Sequence, residues 1–341
     1  MINHSKPWIT KDDFLSVNKA LQKKLVGKGL YVKIFEKNLK KFLKANYIIS
    51  LSSGTSALIL ALKCLKLKED DEVILPTFVC KSVYEAVLTV GAKPVLCDVN
   101  DLGLITNDTV KQMLTSKTKV IIAVHIFGNT CDIKSLMKFK IPIIEDACHS
   151  FGNKIDTKYS GTIADFGFFS LNGTKLFSTG EGGIFVAKKK KYFNVAKRLV
   201  SGCLTKDSMH MFPLSDLGAA LGISQLKKYH KFVKKRSKIM NIYSQKCKKL
   251  GLDFLIDKNT KMLFRFVIKS EKNFNELQKK FSLKGIIIKK GLDMLLHRYI
   301  KINNNEFKNA NKLFRKIVSV PFYPALKNKE IDKVQKNLNI L

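Results

Sequence analysis

DFGFFSLNGTKLFSTGEGG, residues 165–183, places one lysine inside a segment rich in glycine, serine and threonine. Phe168 and Phe169 lead as an apolar run to Ser170, Lys175 follows, and the turn Glu181-Gly182-Gly183 opens a second strand-like run at 184–187. A lysine held between two strands is suited to form a Schiff base with an aldehyde or ketone. Most lysines in so basic a chain are solvated surface charges. The stretch alone leaves both readings open.

Upstream of it, helix and strand signals alternate. Positions 10–25 carry apolar residues at helical spacing, with Thr10 as N-cap and Asp12 and Asp13 in the first turn. A second helix is expected at 32–43. Strands are read at 47–51, 71–75, 93–98, 119–126 and 141–146, with helices between them. Each strand is apolar nearly throughout, which predicts an α/β fold with a mostly parallel sheet covered on both faces. Ligands of such sheets sit beyond the carboxyl ends of the strands. After Lys188 the layout changes: a helix at 192–199, an irregular loop at 201–213, and a long helix at 215–247 broken near Tyr229. From about Leu252 a new alternation begins, with strands at 264–268, 286–289 and 318–321 and helices at 273–281, 307–314 and 329–338. The chain therefore reads as a large domain, 1–240, and a smaller C-terminal α+β domain, 241–341.

Several loops after strands carry chemistry-bearing residues. Ser52-Ser53-Gly54-Thr55-Ser56 lies where a helix begins, so it is either an ordinary hydroxyl N-cap or an anion cradle of free amides. Phe78 follows a Pro-Thr turn, Asp146 and His149 follow another strand end, and Ser170 and Lys175 a third. Singly, each has a bland explanation: Phe78 as core, Asp146 as a cap, His149 as a satisfied core histidine. Jointly they supply what pyridoxal phosphate requires: a phosphate site, a ring-stacking aromatic, an acid for the pyridine nitrogen, a donor for the ring oxygen, and a lysine for the aldehyde.

Composition narrows the alternatives. The 341 residues suffice for a large core, and 45% apolar content predicts a folded chain. The formal charge of +35 raises the possibility of a nucleic-acid partner. However, the excess is lysine spread from end to end, and the only arginines are Arg198, Arg236, Arg265, Arg298 and Arg315. Nucleic-acid binders favour clustered arginine, so a solvated basic surface is the preferred reading. Seven scattered cysteines without a CxxC pair indicate neither a disulfide framework nor a metal site, and fit a reducing cytoplasm. No apolar run approaches the ~18 residues of a membrane span, so no membrane insertion is expected.

The order of the motifs resembles the DegT/StrS-type sugar aminotransferases, which have the aspartate aminotransferase (fold type I) architecture. The matching pieces are Phe35-Glu36, SSGTSAL at 52–58, DEVILPTF at 71–78, GAKPVLCDV at 91–99, VHIFGN at 124–129 and EDACHS at 145–150. The series continues with 165–183 itself, GAALGISQL at 218–226 and VPFYPAL at 320–326. The resemblance implies a seven-stranded-type sheet between helices and pyridoxal phosphate as cofactor. Lys175 would carry the cofactor and Asp146 would pair with its pyridine nitrogen. His149 would face the ring oxygen and Phe78 would stack on the ring. Gly54, Thr55, Ser56 and Ser170 would hold the phosphate, and Glu181 and His297 are the expected substrate-side residues. No metal is implied. The implied reaction moves an amino group from an amino acid, glutamate in the first place, to a nucleotide-linked keto sugar in amino-sugar or surface-polysaccharide biosynthesis. The implied assembly is a homodimer with active sites at the interface.

Two departures stand out. Where the family has a Gly-Tyr-Asn-Tyr-Arg-like run, this chain has Met209-His210-Met211-Phe212-Pro213, and Leu295-Leu296-His297 keeps only part of a Pro-Leu-His segment. Two alternatives follow. One is a pyridoxal-phosphate sugar dehydratase, which Lys175 disfavours because family dehydratases typically carry histidine there. The other is a non-catalytic basic regulatory protein, which the joint presence of Asp146, His149, Ser170 and Lys175 disfavours.

Overall fold

The computed structural model describes residues 1–201, 212–257 and 260–341. The chain opens with helices α1 (Lys11–Gln22) and α2 (Leu30–Leu43). It then alternates through β1 (Tyr47–Leu51), α3 (Gly54–Lys63), β2 (Glu72–Pro76), α4 (Lys81–Thr89), β3 (Lys93–Cys97), α5 (Asn107–Lys111), β4 (Thr118–Val124), α6 (Ile133–Leu136) and β5 (Ile143–Asp146). A hairpin of β6 (Lys154–Ile155) and β7 (Lys158–Tyr159) precedes β8 (Phe166–Ser170), β9 (Gly183–Ala187) and α7 (Lys190–Val200). The remainder is α8 (Asp216–Lys227), α9 (Tyr229–Lys249), β10 (Phe266–Lys269), α10 (Phe274–Leu283), α11 (Leu296–Tyr299), α12 (Lys308–Lys316), β11 (Ile317–Val320) and α13 (Asn328–Lys336).

Seven strands form one sheet in the order β1-β9-β8-β5-β4-β2-β3. The pairs β2–β3, β2–β4, β4–β5 and β5–β8 are parallel, whereas β9 runs against both β8 and β1. Val73, Ile74, Leu75, Ile121, Ile122 and Ala123 are fully buried, as strands covered by helices on both faces must be. The expected α/β class with a mostly parallel sheet is therefore the observed one. At the start of β9 the chain passes so close to the loop before α3 that a Cβ on Gly183 would lie 2.0 Å from the Ser53 carbonyl oxygen. Only glycine fits there.

A second apolar cluster packs β10 and β11 against α9, α10 and α13 through Tyr243, Phe266, Phe281, Val318 and Val334. Ile2, from the opposite end of the chain, is buried in the same cluster. The segment expected as a strand at 286–289 makes only two isolated bridges, Ile286 to Ile2 and Lys289 to Ser319. It has a different partner at each end, so no ladder forms.

Helix ends follow the capping signals. Thr10 and Asp13 form a capping box at α1, and the side chains of Ser53 and Ser215 accept from the Ser56 and Gly218 amides. The N-terminus of α2 has only Gly29 before it, and its cap comes from far away. Asp216 Oδ1 accepts from the Gly29 and Val32 amides at 3.0 and 2.9 Å. Nearby, Lys228 donates to Asp13 and to the Thr10 hydroxyl. Together these bonds fasten α1 and α2 to α8. The Asp216→Ala variant is expected to lose about 1–2 kcal/mol of stability, seen as a lower urea midpoint at unchanged slope. A wild-type midpoint would mean that α2 is held by other contacts.

Candidate active site

A cavity of about 870 Å³ lies beyond the carboxyl ends of β1, β2, β4, β5 and β8. Each strand delivers residues to it. Ser53, Gly54 and Thr55 follow β1, Val79 and Cys80 follow β2, and His125 and Ile126 follow β4. Asp146, Cys148 and His149 come from the end of β5, and Ser170, Asn172 and Lys175 from β8 and the loop beyond it. The register explains the convergence. Asp146 pairs with Val124 on one side and Phe168 on the other, so three strand ends stop at one level. The opposite wall comes from the C-terminal part, with Arg265, Lys289, Lys290 and Asp293 among its residues.

Of the residues expected from sequence, Gly54, Thr55, Asp146, His149, Ser170, Lys175 and Glu181 line this one cavity. Asp146 is 5% exposed, and its Oδ1 accepts from the Cys148 amide at 3.0 Å. Burial pushes its carboxyl above the usual range, while the Cys148 hydrogen bonds and the Lys175 charge pull the other way. The Lys175 ammonium lies 5.4 Å from the centre of the Phe264 ring, a cation–π distance. His149 stacks on the same ring, with centroids 4.2 Å apart and planes 18° apart. Its Nδ1 accepts from the Phe127 amide at 3.4 Å, which leaves Nε2 to carry the proton. Burial first, then the charges of Lys175 and Arg265, hold His149 well below the ordinary histidine range, so it is neutral. At α3, a Cβ on Gly54 would sit 3.0 Å from Ser170 Cβ and 3.6 Å from Cys148 Sγ, so the helix start fits closely against β8 and β5. Glu181 accepts from the Asn172 amide group at 2.6 Å.

Three expected residues do not join the cavity wall. Phe78 is fully buried, edge-on to Phe127 at 6.1 Å and packed against Gly103, and Val79 and Cys80 form the wall there. The Pro-Thr turn after β2 directs Phe78 into the core. The Ser56 hydroxyl is turned to Ser53 Oγ at 2.9 Å and Ser52 Oγ at 3.3 Å. His297 is fully buried and occupied structurally: Nδ1 meets the Thr77 hydroxyl at 2.7 Å, Nε2 meets Asn304 Oδ1 at 2.9 Å, and the ring stacks on Phe307 at 4.5 Å. It is Leu296, its neighbour, that reaches the cavity. In the departing loop, Met209, His210 and Met211 lie outside the described residues. The Phe212 carbonyl accepts from the Ser52 amide at 2.8 Å and so supports the loop before α3.

Sequence reasoning missed Cys80, Cys148, Phe264 and Arg265. Cys148 sat inside the quoted EDACHS motif, two residues after Asp146, and that spacing was the available signal. Phe264 and Arg265 looked like the start of a strand, and nothing in a local pattern indicates that a strand entry reaches across to another wall.

Residues 7–339 match the model of the DegT/DnrJ/EryC1/StrS aminotransferase family. The chain is 30% identical over 253 residues to the GDP-perosamine synthase of Escherichia coli O157:H7, covering 70% of each protein. It is also 30% identical over 266 residues to a Campylobacter jejuni UDP-4-amino-4,6-dideoxy-N-acetyl-beta-L-altrosamine transaminase, covering 73% of this chain and 70% of that one. In fold it is similar to a putative sugar aminotransferase, Spr1654 of Streptococcus pneumoniae, with a TM-score of 0.93 at 24% identity over 99% and 97% of the two chains. By sequence, and with a fold to match, the chain belongs to the DegT/DnrJ/EryC1/StrS aminotransferase family.

Proposed function

We propose that the chain transfers an amino group from an amino acid, L-glutamate in the first place, to a nucleotide-linked keto sugar in surface-glycan biosynthesis. That it is an aminotransferase working with pyridoxal phosphate follows from its family; the substrates and the roles of single residues are the proposal. The observation that carries it is the meeting of Lys175, Asp146, His149 and Ser170 with the start of α3 in one cavity.

The residues present fit the cofactor. The α3 start offers backbone amides and the positive end of a helix dipole, with Gly54 leaving room and Thr55 and Ser170 adding hydroxyls, which suits a phosphate. Asp146 offers a buried carboxylate to a protonated ring nitrogen. Such a cation is the partner its burial calls for. His149, neutral with its proton on Nε2, offers a hydrogen bond to a ring oxygen. Lys175 is the residue for covalent attachment. When bound, the cofactor supplies an electron sink for charge developing on the donor's α-carbon. The Lys175 amine, once free, takes the proton from that carbon and later returns one to the acceptor's carbon. Phe264, stacked on His149 and facing Lys175, excludes water from one side of this exchange.

The proposal includes a division into bodies at 1–240 and 241–341, supported by the separate apolar cluster around Tyr243 and Phe266. A cytoplasmic location accords with six free cysteines among the described residues. Among those residues no helix is long and apolar enough to cross a membrane. A homodimer accords with the apolar residues that α1, α2 and their junction leave exposed: Phe14, Leu15, Leu21, Val26 and Leu30, at 48–63%.

Lys175→Ala is expected to abolish turnover while leaving the thermal transition and circular dichroism unchanged. With pyridoxal phosphate the wild-type protein should show an absorption band that borohydride fixes to Lys175 and glutamate bleaches. Normal turnover by Lys175→Ala would sink the mechanism.

The state of His149 has a stability signature. Its folded pKa lies well below 6.5, so unfolding takes up a proton below that pH, and stability falls as pH drops through 6.5. Its share of that fall is about 1.4 kcal/mol per pH unit. His149→Gln should lose stability less steeply between pH 6.5 and about 5, read from urea midpoints. Equal slopes would mean that the imidazole is charged in the fold.

Phe14→Asp should shift the mass measured by light scattering from two chains to one. A two-chain mass in the variant would remove the proposed interface.

A further inference from the structure

We propose that Arg265 is an oxyanion-binding residue of the cavity and that His4, on the N-terminal arm, is its positioning residue. The proposal deepens the reading above and rests on it for the identity of the substrates.

Arg265 lines the same cavity as Lys175. Its guanidinium packs 5.2 Å from the Phe264 ring, and its Nε is buried without a hydrogen-bond partner. The ion pairs formed among the described residues include none to it. Its neighbour Arg236 is treated differently: that buried guanidinium donates to the carbonyls of Leu263, Phe264 and Phe322. Burial lowers Arg265 to about 10, with Asp293 opposing, so the group stays cationic at neutral pH. A cation removed from water without a counter-ion is costly unless something compensates it. Asp293 supplies part of that compensation, and the cavity offers the place for more, where Lys289 adds a second positive charge. A planar guanidinium with free N–H groups matches a carboxylate or phosphate edge.

Among the described residues, the side-chain hydrogen-bond partner of Arg265 is His4. Arg265 Nη1 donates to His4 Nδ1 at 3.0 Å, and His4 Nε2 meets the Ser319 hydroxyl at 2.9 Å. The imidazole is 6% exposed and held neutral by burial, at about 3, which keeps its lone pair available to the guanidinium. The arm itself is fixed. The Ile2 amide donates to the Gly285 carbonyl at 2.7 Å, the Ile287 amide donates to the Ile2 carbonyl at 3.0 Å, and the Ile2 side chain is buried. His4 therefore aims Arg265 without neutralising it, which a carboxylate in its place would do.

Two substrates of the proposed reaction carry such an anion: the amino donor has carboxylates and a nucleotide-linked sugar has a diphosphate. Calorimetric titration of the cofactor-loaded protein with glutarate and, separately, with inorganic pyrophosphate distinguishes them. Arg265→Gln should weaken binding of at least one probe about tenfold to hundredfold. Loss confined to glutarate assigns the residue to the donor, loss confined to pyrophosphate assigns it to the nucleotide, and loss of both means one shared subsite. His4→Phe, which keeps the ring volume but not the acceptor, should weaken the same probe. His4→Asn, whose Oδ1 replaces Nδ1, should restore it. Unchanged binding of both probes by Arg265→Gln, or a wild-type protein that binds neither, overturns the oxyanion role. Unchanged binding by His4→Phe overturns the positioning role. Cofactor uptake, followed by absorption in every variant, is a separate readout. If the wild-type protein takes up no cofactor, the aminotransferase mechanism fails while titration of the unloaded protein still tests Arg265.

Discussion

Glu145 is fully buried, and four donors converge on its carboxylate. The Gly161, Ile163 and Ala164 amides donate at 2.8, 2.7 and 2.7 Å, and His125 Nε2 donates at 3.1 Å. A buried carboxylate is tolerated only when its lone pairs are used in this way. The bonds tie β5 to the segment that enters β8. They also tie it to the exit of β4, because His125 Nδ1 accepts from the Cys131 amide. Side chains alternate along a strand, so with Glu145 turned toward the Gly161–Ala164 loop, Asp146 must point to the other face. One structural carboxylate thus sets the level and direction of the one that faces the cavity.

The parts of the fold written in the sequence were those governed by periodicity. The apolar runs Val73–Leu75 in β2 and Val120–Val124 in β4 admit little besides a covered sheet, and the hydroxyl before α3 marks a helix start whatever else it does. Within the site, Asp146, Ser170 and Lys175 were legible because each lies on a strand end or the loop just beyond it, where topology alone fixes the neighbourhood. Phe78 and His297 stand back from the cavity for a common reason. Both depend on how the chain turns after Pro76: Thr77 bonds to His297 through its hydroxyl, which draws His297 inward, and Phe78 turns toward Gly103. No periodic pattern survives in such a turn. Arg265 was invisible for a different reason. Its significance lies in being buried with no ion pair among the described residues, which is a property of three-dimensional surroundings.

The large positive charge acquires a more specific meaning from the structure. Among the described residues, the ion pairs Lys81–Glu85, Lys117–Asp70 and Lys134–Asp156 are exposed at both partners and contribute little to stability. The lysines mostly keep their water. Their summed field nevertheless favours approach of anions from any direction, and the cavity wall with Arg265 and Lys289 continues that bias inward. Asp146 and Glu145, by contrast, are buried.

The docking of the N-terminal arm has a consequence for the order in which the molecule can be built. Ile2 pairs with Ile286, and His4 meets Ser319, a separation of 315 positions along the chain. On a ribosome Ile2 and His4 emerge long before β11 and must wait, solvated, until it has left the exit tunnel. Apart from β1, which waits for β9, the sheet strands can find one another during elongation, since their partners arrive in closer succession. The arm cannot, and contacts of such separation carry the largest loop-closure cost. The cationic wall of the cavity is therefore completed only once β11 has emerged, by residues that left the ribosome long before it.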